Sequence, residues 1–184
     1  MNEYKILFTG TMGAGKTTAI GAVSETPPVI TDVHNNDASH AKERTTVGLD
    51  FGQLTLENGD RLRLFGTPGQ SRFDFLWKIL SQNAIGMILL ADNSRPDPLA
   101  DLRVYLEGFA NELSAMPCVI GVGRLDTHPA PSLDDYAEEL ARRHLVLPVL
   151  PVDALSCVGE GTGRTLENIG LLKNVVMSSK KLKQ

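Results

Sequence analysis

The stretch that most constrains the fold of this chain is residues 10–17, GTMGAGKT, which matches every fixed position of the G-x-x-x-x-G-K-[ST] pattern. The apolar run at 6–8 before it is typical of a buried strand, and residues 18–23 after it predict a helix. Glycine accepts backbone conformations and close approaches that a Cβ excludes, so such a loop can wrap its N–H groups around a phosphate chain. The three segments together predict a phosphate-binding site at the start of an α/β fold.

Each part of this loop has a predicted contact with a nucleotide. The glycines permit close approach, and the N–H groups at the helix start point at the anion with help from the helix dipole. Lys16 places a charge on the β and γ phosphates, and the Thr17 hydroxyl is a predicted Mg²⁺ ligand. The nucleotide-binding residues predicted here are Gly10, Gly13, Ala14, Gly15, Lys16, Thr17 and Thr18.

Length and charge restrict the classes of protein that fit. A chain of 184 residues is most simply one domain, here expected to span 1–184 with a frayed tail at 178–184. Its formal net charge of -4 disfavours nucleic acid as a partner, because phosphate-backbone binding needs a basic face. Cys118 and Cys157 lack metal-site spacing and are expected to be reduced thiols.

Nothing in the sequence resembles a targeting or membrane segment. The first residues lack a signal-peptide apolar region, and no apolar run approaches the roughly 20 residues of a membrane span. Asn2 stands where myristoylation needs glycine, and no terminal cysteine is present for prenylation. We therefore expect a cytoplasmic protein without a stable membrane anchor.

Strand and helix signals alternate along the chain, which predicts a mostly parallel six-stranded sheet with helices on both faces. Segments 49–57 and 61–65 flank Asn58-Gly59 and predict a hairpin, so one edge strand should be antiparallel. The polar segment 26–46 contains at most a short strand, and a loop of that length is usually functional or mobile.

The helix predicted after residue 72 carries one apolar stripe and two additional apolar residues. The stripe consists of Phe73, Leu76, Trp77 and Leu80. Phe75 and Ile79 lie off the stripe, so this helix either presents an apolar patch to a partner or is packed on two sides.

Later segments resemble, in order, the remaining motifs of Ras-like GTPases. Residues 45–51, TTVGLDF, resemble the first switch segment of that family. The resemblance implies that Thr46 contacts Mg²⁺ and the γ-phosphate. The alternative for these threonines is ordinary β-propensity at the start of a strand.

Gly66-Thr67-Pro68-Gly69-Gln70 resembles the second switch motif, Asp-x-x-Gly-Gln. This resemblance implies that the Gly69 N–H meets the γ-phosphate and that Gln70 orients the attacking water. Gly66 departs from the motif, because the family's Asp indirectly supports Mg²⁺ there, and Asp92 is not an obvious replacement. The departure predicts a weak dependence of nucleotide affinity on Mg²⁺.

Gly123-Arg124-Leu125-Asp126 resembles the base-recognition motif Asn/Thr-Lys-x-Asp. The resemblance implies that the Asp126 carboxylate accepts from the two donors on the guanine edge and that Arg124 covers the face of the base. Gly123 lacks the contact of the family's Asn, which predicts lower guanine affinity. Residues 152–156 weakly resemble the last motif, in which a backbone N–H near Ala154 meets the guanine oxygen.

The resemblance is best to bacterial Ras-like GTPases of the MglA gliding-motility type, which are encoded beside roadblock-fold proteins. That group shares the Pro-Gly-Gln second switch and tolerates loss of the switch Asp. It also uses an arginine beside the first-switch Thr as an internal arginine finger, which Arg44 resembles. A solvated loop arginine is an equal alternative for Arg44.

The resemblance implies a GTP-binding switch that uses Mg²⁺, hydrolyses GTP slowly through Gln70, Arg44 and Thr46, and signals to a roadblock-type protein. One rival is a pseudo-GTPase scaffold, which Gly66 and Gly123 favour. The other is a shikimate-type small-molecule kinase, whose arginine-bearing lid could come only from Arg142-Arg143 or Arg164.

Overall fold

The computed structural model describes residues 1–27, 29–34, 46–56, 58–69 and 74–152, with the backbone alone described at 29–34, 46–48, 74 and 75. These residues form seven strands and five helices. In chain order they are β1 (Glu3–Gly10), α1 (Lys16–Val23), β2 (Val29–His34), β3 (Thr46–Thr55), β4 (Arg61–Gly66), α2 (Asp74–Ser81), β5 (Ala84–Asp92), α3 (Pro98–Gly108), α4 (Ala110–Ala115), β6 (Cys118–Gly123), α5 (Leu133–Arg142) and β7 (Val149–Val152).

The strands form one sheet in the order β2-β3-β4-β1-β5-β6-β7. Strands β4, β1, β5, β6 and β7 run parallel, whereas β3 is antiparallel to both of its neighbours. The predicted fold class, a mostly parallel P-loop α/β fold with one antiparallel strand, is confirmed. Two details were wrong: the sheet has seven strands rather than six, and the antiparallel strand lies one position inside the edge.

The additional strand explains both differences. β2 pairs with β3 from Val29↔Phe51 to His34↔Thr46, within the segment where at most a short strand was expected. Its central residues include β-branched valine, isoleucine and threonine, which favour a strand, but its polar flanks hide the pattern. The long β3 pairs with β2 and with β4 at the same time, so it cannot be the edge.

The hairpin between β3 and β4 forms at the predicted turn. Gly59 adopts φ +81°, a left-handed conformation that favours glycine. The Leu56 N–H donates to the Asp60 carbonyl at 2.7 Å, and the Asn58 side chain donates to the Asp60 carboxylate at 3.0 Å. The turn fixes the register that places Asp50 of β3 opposite Gly66 of β4.

Alternate residues of β1 enter two separate cores, one on each face of the sheet. Ile6 and Phe8 pack with the α1 residues Ala19, Ile20 and Val23. Leu7 packs on the other face in a cluster that contains Trp77 of α2 and residues of α3 and α5. Burying β1 on both faces brings its carboxyl end, and the loop after it, to the middle of the sheet.

Phe109 lies between α3 and α4. The Phe109 side chain is fully buried and stacks on Trp77 with ring centroids 5.3 Å apart. Cys118 is a buried free thiol, and burial raises its pKa to about 12, as expected of an unreactive structural cysteine.

Several predictions fall outside the described residues: the frayed tail at 178–184, Cys157 and the part of the last motif beyond residue 152. The extent of a single domain over 1–184 stays a prediction. None of the helices in the described part of the chain combines the length and apolar character needed to cross a bilayer.

Candidate nucleotide-binding site

The loop between β1 and α1 has the backbone that the glycine pattern predicts. Gly10, Gly13 and Gly15 have φ values of +135°, +84° and +89°. A Cβ at position 10 would lie 2.1 Å from the Leu90 carbonyl oxygen of the neighbouring strand. Gly15 is the N-cap of α1, so the loop delivers its backbone to the positive end of the helix.

Lys16 lies buried at the base of this loop, with 8% of its surface exposed. Its ammonium donates to the carbonyl oxygens of Gly10 at 2.9 Å and Thr11 at 2.7 Å. Burial lowers its pKa to about 8, and the nearby Asp50 carboxylate opposes this shift only in part. Lys16 is therefore a buried cation at neutral pH, and it loses its charge as the pH rises above about 8.

The Thr17 hydroxyl is held by a carboxylate from a different strand. It donates to Asp50 Oδ2 at 2.7 Å, and Asp50 is 8% exposed. A Cβ at the cross-strand partner, Gly66, would lie 2.9 Å from Asp50 Cβ and 3.0 Å from Asp50 Oδ2. The glycine at position 66 therefore leaves room for the carboxylate of position 50, and its presence does not deprive Thr17 of a carboxylate partner.

Gly69 lies directly against the phosphate loop. A Cβ at this position would be 2.3 Å from the Met12 nitrogen and 2.7 Å from Met12 Cα. The preceding Thr67 is buried, and its hydroxyl donates to the Thr9 hydroxyl of β1 at 2.9 Å. The start of the predicted second switch is thus anchored beside the loop.

At the other end of the site, Arg124 connects the predicted base loop to the phosphate loop. Its guanidinium pairs with the buried Asp92 carboxylate and donates to Ser94 Oγ at 2.8 Å and to the Gly13 carbonyl at 3.2 Å. Burial raises the pKa of Asp92, but hydrogen bonds from Ser94 and Arg124 outweigh this and leave it below its usual value. Asp92 serves Arg124, which agrees with its not replacing the carboxylate missing at Gly66.

Asn93 fastens the base loop to the body of the protein. Its side-chain amide donates to the carbonyls of His128 at 2.7 Å and Pro131 at 2.8 Å, and its oxygen accepts from the Tyr136 hydroxyl at 2.8 Å. Asn93 is 2% exposed, so this amide uses both donors and its acceptor within the protein. The loop that carries Arg124 is therefore held at its far end.

A cavity of about 430 Å³ joins the phosphate and base ends of the site. It is lined at one end by Gly13, Ala14, Gly15 and Thr18 and at the other by Gly123, Arg124, Asp126 and Thr127. The volume falls in the range of small-molecule and cofactor pockets. The structure therefore brings the predicted phosphate-binding and base-binding segments together around one space.

Other predicted site residues lie outside the described part of the chain. These are Arg44, Gln70 and Ala154, together with the side chain of Thr46, whose backbone belongs to β3. The side chain of Phe75 also lies outside the described part of the chain, whereas Ile79 is described and is 55% exposed on α2. Their predicted roles stay predictions.

Two residues of the site were not assigned a role from the sequence. Asp50 appeared only within the segment 45–51 that resembles the first switch, yet it accepts the hydrogen bond of the Thr17 hydroxyl. Asn93 follows the buried β5 strand directly, and a polar residue at the carboxyl end of a central strand is a signal that could have found it. No comparable signal marks Asp50, since its contact depends on strand register.

The fold and this loop define a P-loop nucleotide-binding protein. The family described as conserved hypothetical ATP binding protein matches residues 8–148, which include the phosphate loop and the base loop. The chain belongs to that family.

The chain is also similar to Ras-related proteins. It is 29% identical over 114 residues to Ras-related protein Rab-8A of Gallus gallus, covering 60% of this chain and 50% of Rab-8A. Identity to Ras-related protein Rab-32A of Dictyostelium discoideum is 34% over 97 residues, and to Ras-related protein Rab-32 of Sus scrofa 32% over 100 residues, each covering 39% of the relative. The chain spans half or less of the length of these relatives.

Proposed function

We propose that this chain is a Ras-like GTPase switch that binds GTP and GDP with Mg²⁺ and hydrolyses GTP slowly. It signals through segments 34–52 and 66–82 to a protein partner in the cytoplasm. We assign the protein more specifically to the bacterial MglA type with a roadblock-fold partner. This assignment is supported by the resemblance of its sequence motifs. The similarity to Ras-related proteins supports the switch class.

The observation that carries the proposal is that Asp126 and the phosphate loop line the same cavity. A carboxylate is an acceptor only, so it pairs with the adjacent N1–H and N2–H donors of guanine. Adenine offers an acceptor at N1 and is repelled at the same position. This chemistry favours guanine, although the family description refers to ATP.

Mg²⁺ fits the oxygen groups at the phosphate end. Among the described residues, no group of three or more His, Cys, Asp or Glu side chains could hold a metal. The ion would therefore bind Thr17 Oγ1, phosphate oxygens and water, as Mg²⁺ commonly does with nucleotides. Because the Thr17 hydroxyl donates its proton to Asp50, its lone pairs remain available to the ion.

Hydrolysis is assigned to Gln70, Arg44 and Thr46, with Gln70 orienting water and Arg44 stabilising charge on the transferred phosphoryl group. An arginine held in place supplies a rate factor of ~10³ to 10⁵. We expect slow turnover by the protein alone and faster turnover when a roadblock-fold partner orders both switch segments. Arg44→Ala and Gln70→Leu should each abolish the faster rate while GTP binding persists.

This expectation is measured by single-turnover hydrolysis with and without the partner, with GTP affinity determined in parallel. Full stimulation of Arg44→Ala would make Arg44 a solvated loop residue. Wild-type protein that binds GTP but never hydrolyses it would favour the pseudo-GTPase scaffold.

Base selectivity is tested by titrating fluorescent GDP and ADP into Asp126→Asn and the wild type. The exchange should weaken GDP by about 10- to 100-fold, the loss of hydrogen bonds to a charged acceptor, and should favour xanthosine diphosphate. Asp134→Asn is the matched control, because Asp134 is an exposed carboxylate in the first turn of α5. Equal wild-type affinity for ADP and GDP would remove the guanine assignment.

Two candidate lid arginines of the kinase alternative lie in ion pairs on the surface of the protein. Arg142 pairs with Glu138 and Glu139, and Arg143 pairs with Glu139 and Glu107. Arg142 belongs to α5 and Arg143 is its C-cap residue. Their pairing with helix carboxylates disfavours a mobile lid built on these two arginines. Arg164 falls outside the described residues.

A further inference from the structure

Two aromatic side chains hold the backbone on both sides of Gly69. Trp77 Nε1 of α2 donates to the Pro68 carbonyl at 3.1 Å. The Tyr105 hydroxyl of α3 donates to the Gly69 carbonyl at 3.0 Å. Because a peptide group is planar, fixing the Pro68 carbonyl also fixes the direction of the Gly69 N–H in the same group.

The two aromatic rings form a rigid support. Trp77 is 1% exposed and Tyr105 is 3% exposed, and their ring centroids lie 4.7 Å apart in a stacked arrangement. Phe109 also stacks on Trp77, with ring centroids 5.3 Å apart. Burial also raises the pKa of Tyr105, so the hydroxyl remains a donor at physiological pH.

The opposite side of Gly69 faces the phosphate loop, since an added Cβ would collide with the Met12 backbone at 2.3 Å. Gly69 is therefore enclosed between the loop that holds phosphates and the aromatic pair. A shift of the aromatic pair would change the orientation of the Gly69 N–H relative to a bound phosphate chain.

We propose that Trp77 and Tyr105 are positioning residues that aim the Gly69 N–H at the third phosphate and so allow the protein to distinguish a nucleoside triphosphate from a diphosphate. The inference rests on the proposed function, from which the contact of Gly69 with the γ-phosphate is taken. The positioning role explains why two aromatic residues from different helices both contact the backbone beside Gly69.

The decisive variant is Tyr105→Phe, which keeps the stacked ring and removes only the hydroxyl. The probes are fluorescent GDP and the non-hydrolysable analogue guanosine 5′-(β,γ-imido)triphosphate, and their dissociation rates are measured by stopped flow. We expect the triphosphate analogue to dissociate about 3- to 10-fold faster, the effect of one neutral hydrogen bond, with GDP unchanged. Trp77→Phe removes the donor to the Pro68 carbonyl, whose peptide group contains the Gly69 N–H. It should also speed dissociation of the triphosphate analogue.

Ser81→Ala is the matched control. Ser81 is a buried α2 residue whose hydroxyl oxygen lies 3.0 Å from both the Lys78 carbonyl and Glu112 Oε1, so the exchange loosens α2 without touching Gly69. It should lower the unfolding midpoint as Tyr105→Phe does and leave the ratio of the two dissociation rates unaltered. If Ser81→Ala alters the ratio of the two dissociation rates, the change in Tyr105→Phe is explained by lower helix stability, and the positioning role is overturned.

The remaining outcomes separate this inference from the guanine assignment. Equal effects of Tyr105→Phe on GDP and the triphosphate analogue, or none on either, overturn the positioning role and leave guanine selectivity standing. If the wild type prefers adenine nucleotides, the guanine assignment fails, and ADP against the adenosine imidotriphosphate tests the positioning role in the same way. A wild type that binds none of these probes overturns both.

Discussion

Gly66 and Gly123 both stand where Ras-like motifs carry a polar side chain, and their surroundings differ. At Gly66 the missing side chain's space is filled, because Asp50 Cβ and Oδ2 lie within 3.0 Å of where a Cβ would be. At Gly123 the nearest atoms of the described residues to an added Cβ are the carbonyl oxygens of Ala91 and Val152, at 3.6 and 3.7 Å, which is ordinary contact.

A missing motif residue does not by itself mean a missing function. On β4 the carboxylate is absent from the strand end, but the adjacent strand supplies one to the Thr17 hydroxyl. At Gly123 no side chain of the described residues lies within 4 Å of the position, and Asn93 instead holds the far end of the base loop. At the first departure a carboxylate of the adjacent strand still reaches Thr17, and at the second the described residues leave the position open.

The largest expected effect comes from removing the compensating carboxylate. Asp50→Asn should weaken GDP retention in Mg²⁺ by about 10- to 100-fold, because Thr17 loses a charge-assisted hydrogen bond that orients its lone pairs. The measurement is the dissociation rate of fluorescent GDP with Mg²⁺ and with EDTA. The Thr17–Asp50 hydrogen bond predicts wild-type rates that differ widely between these conditions, whereas Gly66 alone predicts a weak Mg²⁺ dependence, and this measurement decides between the two predictions.

Asp60→Asn is a suitable control, since Asp60 is a buried carboxylate of the β3–β4 turn that accepts from the Asn2 N–H at 2.7 Å. It should alter stability and leave the effect of Mg²⁺ intact. Wild-type retention that is insensitive to EDTA would show that Asp50 does not support the ion.

The second effect concerns the space between the two strands. Gly66→Asp should lower the free energy of unfolding by about 1 to 3 kcal/mol, because the new side chain overlaps Asp50 and places two carboxylates together. Urea unfolding followed by circular dichroism measures the change. Gly66→Ala separates the steric part from the charge.

Asp50→Gly combined with Gly66→Asp should recover much of that loss, since the exchange returns one carboxylate and one glycine to adjacent strands. Such coupling between contacting residues appears as non-additivity of the two single changes. Strict additivity would mean that the two positions do not share one space.

The third effect is a pH dependence of nucleotide binding through Lys16, whose pKa of about 8 lies below its ordinary value of 10.5. Below pH 8 the ammonium is charged and available to phosphate, and above it the free protein holds a neutral amine. GDP affinity should therefore fall about 10-fold from pH 7 to pH 9. Titration of fluorescent GDP across this range tests the expectation, and a flat profile would contradict it.

Two controls sharpen the pH result. Lys16→Met should remove this slope, and Asp50→Asn should move its midpoint to lower pH because the carboxylate opposes the lysine's shift. The nucleotide-free protein should show the opposite trend in stability, rising from about pH 8 to 10.5, since the unfolded lysine keeps a proton that the folded one has lost.

How far the sequence could predict this site depends on the distance along the chain over which each contact forms. The phosphate loop was predictable because Gly10, Gly15 and Lys16 act within one short turn between a strand and a helix. Thr17 and Asp50 are 33 positions apart, and their contact follows from the register of β3 against its neighbours. The extra edge strand was hidden for a related reason, since its pairing with β3 is visible only in three dimensions.

The base end shows the same limit. Arg124 and Asp126 were found from a four-residue motif, whereas the pairing of Arg124 with Asp92 joins residues 32 positions apart. The continuous apolar run at 6–8 predicted β1 as a buried strand, because burial on both faces requires such a run. No periodic pattern in the sequence predicts pairs of side chains from different strands or loops, such as Arg124 and Asp92.

The smallest expected effect is at the open position. Gly123→Asn should change the free energy of unfolding by less than about 1 kcal/mol, because an added Cβ meets only ordinary contacts. It should raise GDP affinity by no more than about 2- to 10-fold, the effect of one neutral hydrogen bond. Gly121→Asn is the matched control in the same strand: its Cβ would lie 2.9 Å from Leu90 Cδ2 and 3.0 Å from Val152 Cγ1, so it should destabilise the protein clearly. If Gly123→Asn instead weakens GDP, the space beside position 123 is needed by the nucleotide itself, and the two glycines would be alike in keeping a space that the site uses.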